Sequence, residues 1–156
     1  MLVLRYPLAG RVLDACAGKG AIFRWFRYVD AITEPLACEL DWGIDFLKFN
    51  EKVDFVVMNC PYSLFTEFIT HAMSISDNIV LICPMYKWAD CMTNLNAVRE
   101  YGNIVEELVI GPGDRIGWRF GFPVAIYYLK RGYRGDTKKV FCDYTLKHCK
   151  RVRRRK

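Results

Sequence analysis

The sequence predicts an α/β protein: a doubly wound, mostly parallel sheet with an antiparallel terminal strand. Three observations predict it. Short apolar runs of strand length alternate with segments of helical spacing. The run in "KVDFVVMN" is apolar throughout its centre, as a parallel strand covered on both faces should be. Glycine-bearing, acidic and Asn/Pro stretches follow the carboxyl ends of these runs, where such sheets bind ligands.

In order along the chain, "RVLD" at 11–14 is a short buried strand that breaks into the loop "ACAGKG". "AIFRWFRYV" has apolar residues at 22, 23, 26 and 29, a helical spacing. "PLACEL" is the second strand, and "DWGIDFLKF" a loop with a short turn. "KVDFVVMN" is the third strand and "SLFTEFITHAM" the helix after it, with apolar residues at 64, 65, 68, 69, 72 and 73. "NIVLICP" is a fourth strand, "CMTNLNAVREYG" a helix ending at Gly102, and "IVEELVIG" a fifth strand. "VAIYYLKRG" closes the series, its mixed alternation suiting an antiparallel edge. Right-handed crossovers then give a mostly parallel sheet with helices on both faces.

A chain of 156 residues, 53% hydrophobic and 15% aromatic, is expected to be globular and can bury a sizeable core. No apolar run approaches the roughly 20 residues needed to span a bilayer, so no membrane association is expected. No signal peptide is read at the N-terminus, which implies a cytoplasmic protein. Seven irregularly spaced cysteines without C-x-x-C read as small hydrophobes in a reducing compartment. "CDYTLKHC" alone gathers two Cys and a His, and no metal site is expected.

The net charge of +6 is unevenly spread. Residues 1–129 hold 11 basic against 15 acidic residues, and 130–156 hold 12 against 2. The expected division is a domain over 1–135 and a basic C-terminal segment over 136–156. That segment reads either as a solubilising end or as an arm on phosphates, with Arg151, Arg153, Arg154 and Arg155 as contacts. Such contacts would be indifferent to base sequence.

"DACAGKG" puts an acid at a strand end and two glycines in the next turn, which suits close approach of a ligand. The dinucleotide fingerprint is incomplete, since residue 23 is Phe, and no G-K-[ST] occurs. Alone, the loop points to a nucleoside-containing ligand and no further. "NCPY" at 59–62 sets an amide, a rigid turn and an aromatic ring side by side at the end of the third strand. A polar turn ending a strand would explain the proline but not the Asn and Tyr beside it.

Asp14-x-x-x-Gly18-x-Gly20 followed by Asn59-Cys60-Pro61-Tyr62 resembles the amino-group branch of the S-adenosylmethionine-dependent methyltransferases. That branch carries D/E-x-x-x-G-x-G after strand one and [DNS]-P-P-[YFW] after strand four. The likeness is strongest to small viral and phage-type adenine-N6 DNA methyltransferases. "CELDWGIDFL" resembles that group's stretch between the two motifs, and "GDRIGW" its later "RI-x-F" segment. The resemblance covers roughly residues 10–131. It implies a Rossmann-like methyltransferase fold, S-adenosylmethionine as cofactor, and methyl transfer to the N6 amine of adenine in DNA.

The chemistry gives the motif its sense. An adenine amine is a weak nucleophile because its lone pair is delocalised into the ring. Acceptors on both N–H bonds localise that pair; the Asn59 side-chain oxygen and the Cys60 carbonyl are the expected two. They act by orientation and electrostatics. Tyr62 offers a face to a base that has left its stack. By resemblance, Asp14 lies near the methionine part of the cofactor, with Ala15, Gly18 and Gly20 lining it. Glu39, or else Asp41, takes the ribose hydroxyls, and Asp45 the cofactor's adenine amine.

Cys60 stands where the family has its first proline. Only thirteen residues precede Asp14, where the family has a cofactor-closing segment. Sequence reading is expected from 84–123, with Trp88, Arg115, Trp118 and Arg119 as candidates on bases, although either Trp also suits a core. A homodimer is one way to supply further DNA surface. Other readings stay open: RNA or protein amino methylation, cytosine-C5 methylation with Cys60 as nucleophile, or a non-catalytic nucleic-acid-binding protein of the same fold.

Overall fold

A computed structural model describes residues 2–117 and 120–142. The strands are β1 Gly10–Asp14, β2 Ile32–Ala37, β3 Val53–Met58, β4 Ser76–Pro84, β5 Gly102–Pro112, β6 Pro123–Arg131 and β7 Lys138–Phe141. They form one sheet in the order β2-β1-β3-β4-β6-β5-β7. β2, β1, β3 and β4 run parallel to one another. β6 is antiparallel to both β4 and β5, and β7 is parallel to β5. The sheet is therefore the expected mostly parallel one with an antiparallel part. β6, however, is interior rather than an edge: Val124 to Tyr127 are all buried and its register with β4 runs from Asn78↔Lys130 to Pro84↔Val124.

Alternate side chains along each strand point to opposite faces. One face carries Leu13, Val56, Met58, Ile79, Leu81, Ala125, Tyr127 and Leu129. Helices α1 (Phe65–Ile75) and α2 (Met92–Tyr101) both pack there, through Phe65, Phe68, Ile69, Ala72, Met73, Val98 and Tyr101. The other face, with Val12, Phe55, Val57, Val80, Leu108 and Ile126, is covered by Tyr6, Leu8, Ile22 and Phe26. No α-helix lies on that second face among the described residues, which corrects the expectation of helices on both. Phe23–Tyr28 is a six-residue 3-10 turn rather than an α-helix. Buried Ile22 and Phe26 satisfy either period over so short a stretch, so spacing could not separate the two.

β1 lies between β2 and β3, so the chain leaves it in one direction and returns on its other side. Their carboxyl ends form the crevice that α/β sheets use for ligands. Loops there are tied together: Cys38 N–H donates to Asp14 O at 2.9 Å, Ala17 N–H to Cys38 O at 3.0 Å, and Ala15 N–H to Val57 O at 3.0 Å. The Asn59 motif follows the third strand of this chain, where the resemblance placed it after a fourth.

Candidate active site

Two adjoining cavities open above the ends of β1, β2 and β3. The first, of ≈ 290 Å³, is lined by Ala15, Glu39, Leu40, Asp45, Phe46 and Leu64 among others. The second, of ≈ 500 Å³, is lined by Cys16, Asn59, Cys60, Pro61, Tyr62, Gly117 and Phe120. Cys16 and Pro61 belong to both, so the two spaces share a wall. Another cleft of ≈ 500 Å³ sits at the opposite ends of the strands, but its charged groups are already engaged: Arg11 pairs with Glu34 and Glu51 and Arg131 with Asp77, Lys52 Nζ donates to the Ser74 carbonyl, and Asp54 accepts from Arg11 N–H.

The glycine loop is built around Asp14. Its side chain is fully buried and accepts from Phe23 N–H at 2.9 Å and Cys16 N–H at 3.4 Å. The carboxylate thus holds the loop's own backbone. Gly18 and Gly20 have φ of +52° and +72°, and a Cβ at either would meet nothing within 4 Å among the described residues. They are needed for the turn's conformation rather than to avoid a clash.

Glu39 stands at the end of β2 and bridges two loops. One carboxylate oxygen accepts from Gly18 N–H at 2.5 Å, the other from Asp41 N–H at 3.3 Å. Glu39 lines the first cavity, whereas Asp41 is exposed and off its wall. Asp45 also lines it, caps the next turn by accepting from Leu47 N–H at 3.0 Å, and pairs with Lys48 at 3.6 Å. Between these two acids the walls are apolar, with Leu40 72% and Leu64 41% exposed. Neither leucine was legible as a wall of the slot: Leu40 sits in a loop, where an apolar residue carries no period, and Leu64 fits the apolar spacing of the helix that follows.

Asn59 and Tyr62 face the second cavity as a unit: the Tyr62 hydroxyl donates to Asn59 Oδ1 at 3.1 Å. Burial holds the Tyr62 phenol well above its ordinary pKa, so it remains a donor. Burial also pushes the Cys60 thiol up to about 12, with the side chain 3% exposed. A protonated, buried thiol is a poor nucleophile, which weighs against Cys60 attacking a ring. Beyond Tyr62 runs an aromatic row that sequence reading missed. Phe122 lies edge-on to Tyr62 at 6.3 Å and to Tyr86 at 6.3 Å, and Phe120 stacks on Phe122 at 5.3 Å. Phe120, 59% exposed, reaches the cavity. Two phenylalanines flanking Gly121 just before a strand were the available signal.

Trp88 is corrected by its surroundings. It is 6% exposed, edge-on to Phe65 at 5.1 Å and to Tyr127 at 5.5 Å, and so is a core residue with no face for a base. Arg115 stands in the 3-10 turn Gly113–Ile116 above β5. Trp118, Arg119, Arg151, Arg153, Arg154 and Arg155 lie outside the described residues, as does most of "CDYTLKHC". Among the described residues no helix is long and apolar enough to cross a membrane.

Burial pushes the Asp14 carboxyl up to about 6, overriding the two backbone donors that favour its ionised form; Glu39 adds to the rise. The folded state then holds this proton more tightly than the unfolded chain, where an Asp titrates near 3.9. The stability it confers is full below about pH 4 and is lost as pH rises through about 6. Asp14→Asn keeps an acceptor for Phe23 N–H and cannot ionise. The variant is expected to be the more stable protein at pH 7.5, by on the order of 3 kcal/mol, to keep about half of that advantage near pH 5 and to lose it below about pH 4. Paired melting curves across this range check it; a pH-independent difference would contradict the burial argument.

No family model and no curated protein matches the chain. Solved structures do. A Listeria monocytogenes protein proposed to be a class I S-adenosylmethionine-dependent methyltransferase is similar over 86% of this chain, with a TM-score of 0.65 at 9% identity. A type I restriction-modification methyltransferase subunit from Streptococcus thermophilus is similar over 86%, with a TM-score of 0.64 at 14% identity. The M protein of the type I restriction enzyme EcoKI is similar over 78%, with a TM-score of 0.61 at 13% identity. The chain spans 59%, 42% and 39% of the lengths of these three. At such identities the likeness is one of fold: a doubly wound α/β sheet of the kind seen in methyltransferases.

Proposed function

We propose that the chain is an S-adenosylmethionine-dependent methyltransferase acting on the exocyclic N6 amine of adenine in nucleic acid, DNA first. The observation that carries the reading is the join between the two cavities. An acid-and-apolar slot meets, across Cys16 and Pro61, a space walled by Asn59, Tyr62 and Phe120.

The residues present fit the cofactor. An adenosine moiety suits apolar walls between two acids, with Glu39 for the ribose hydroxyls and Asp45 for the adenine amine. Ala15 borders this slot, while Gly18 and Gly20 shape the loop and leave room beside it. Asp14 supports the loop from beneath. When bound, the sulfonium supplies an electrophilic methyl group.

The chain's own residues prepare the nucleophile. Asn59 Oδ1 has two lone pairs; Tyr62 occupies one, and the other is available to an amine N–H. The Cys60 carbonyl is the second acceptor. Together they draw the amine toward tetrahedral geometry and localise its lone pair, stabilising the positive charge that develops on nitrogen. Tyr62 and Phe120 give a flat ring two aromatic neighbours. The amine's proton then leaves to solvent, and no covalent intermediate on the protein is needed.

Transfer of labelled methyl from S-adenosylmethionine to DNA, RNA and protein in parallel, with identification of the modified base, is the direct test. Label on adenine N6 in DNA is expected. Calorimetry and melting should show binding of S-adenosylmethionine and its demethylated product, since a ligand of the native state must stabilise it. No heat and no melting shift at millimolar ligand would remove the proposal.

A further inference from the structure

Residues 15–29 contain Lys19, Arg24 and Arg27 and no acid. Most other cations in the described residues find a carboxylate: Arg5 with Glu106, Arg11 with Glu34 and Glu51, Lys48 with Asp45, Lys87 with Asp90, Arg131 with Asp77, and Lys138 and Lys139 with Glu106 and Glu107. Among the described residues Lys19, Arg24 and Arg27 make no such pair within 4.0 Å, and all three are exposed. Their bonds go to neutral groups. Arg24 Nε donates to Gly20 O at 2.9 Å, folding the guanidinium back over the glycine loop. Arg27 donates to the Tyr28 hydroxyl at 2.8 Å and lies over its ring at 4.8 Å.

Two large aromatics stand among these charges. Buried Ile22 and Phe26 pin the 3-10 turn to the sheet, and this turns Trp25 and Tyr28 outward, 38% and 60% exposed. Their rings are 5.5 Å apart and tilted by 50°, so neither face is closed flat against the other. Exposing this much aromatic surface beside unpaired cations has no evident role in packing.

We propose that Lys19, Arg24, Trp25, Arg27 and Tyr28 form a binding surface for single-stranded nucleic acid. The cations match phosphates, and the arginines keep unused N–H donors for them. The rings match unpaired bases, which alone expose flat faces for stacking. A duplex would engage the cations and leave the rings idle; an acidic peptide would do the same. The strip begins in the glycine loop beside the cofactor slot, so a strand lying on it passes the rim of the site. This rests on the proposed nucleic-acid substrate, to which it adds a strand-holding surface separate from the Asn59 cavity.

Anisotropy of a labelled oligothymidylate on the full chain, measured across a salt series, tests it. Arg24→Ala with Arg27→Ala is expected to weaken binding and to flatten the slope of log affinity against log salt by about 1.4, or about 0.7 per contact. Arg24→Lys with Arg27→Lys should restore the slope. Trp25→Ala and Tyr28→Ala should each weaken binding about fivefold or more with the slope unchanged, by loss of stacking. Arg99→Ala, an exposed cation on α2, should change neither. Unchanged affinity and slope in the strip variants, no oligonucleotide binding at low salt, or competition by polyglutamate as effective as by nucleic acid would each overturn the surface. Melting shifts with S-adenosylhomocysteine, run in parallel, keep the two proposals apart. A retained shift with failed strip variants removes the surface alone. Absent shift and absent transfer, with the strip variants still weakened, remove the enzymatic reading alone.

Discussion

Replacing Asn59 by alanine is expected to abolish methyl transfer while leaving cofactor affinity nearly unchanged. Asn59 lies in the second cavity, away from Glu39 and Asp45. Its loss removes one acceptor from the target amine and leaves the Tyr62 hydroxyl without its 3.1 Å partner. Loss of one preorganised transition-state group costs about 10²-fold or more in turnover, as for an oxyanion-hole donor. Single-turnover transfer beside calorimetry separates the two effects. Wild-type turnover would take Asn59 out of the mechanism. Cys60→Ser should remain active, because the working atom is a backbone carbonyl; an inactive Cys60→Ser would restore the nucleophilic thiol despite its burial.

Glu39→Ala is expected to weaken S-adenosylmethionine binding by about 10²-fold. Charge-assisted hydrogen bonds contribute about 1.5–3 kcal/mol each, and the carboxylate would hold a diol with two of them. The same change frees Gly18 N–H and Asp41 N–H, at a cost of about 1 kcal/mol in the fold, as for a lost cap. Glu39→Gln keeps one good acceptor and should lose less. Asp41→Ala, off the cavity wall, should bind normally. Calorimetry on all three decides the assignment, and equal loss in the Glu39 and Asp41 variants would refute it.

Much of this was legible because it rests on strong local signals. β3 and β4 are continuous apolar runs, and continuous runs mean burial on both faces. Asn59 and Glu39 stood out because polar residues at strand ends have few packing reasons to be there. β2 starts at Ile32, earlier than read, since Pro35 looks like a boundary; on an edge strand its missing N–H can face the open side. β6 looked like an edge because Tyr128 and Lys130 dilute its apolar pattern, though both lie near its carboxyl end. β7, four residues with two lysines, has too little pattern to read. Trp88 shows the general limit: composition identifies an aromatic in a loop, and only the tertiary path decides whether it meets core or solvent.

The order in which β4 acquires neighbours has a consequence for how the chain is made. Its second partner is not the strand that follows it but β6, with Ile79 opposite Leu129. A nascent chain that has released α2 and β5 but not residues 123–131 carries β4 with one side unpaired. That edge reads Ile79-Val80-Leu81-Ile82-Cys83, a run with no charge and no proline. Such an edge is a template for pairing with another chain. Closure needs the β5–β6 hairpin to form and then slot in, a contact of long sequence separation and correspondingly slow. The hazard in biosynthesis therefore falls in a defined interval of translation, and it ends when the last residues of β6 reach β4.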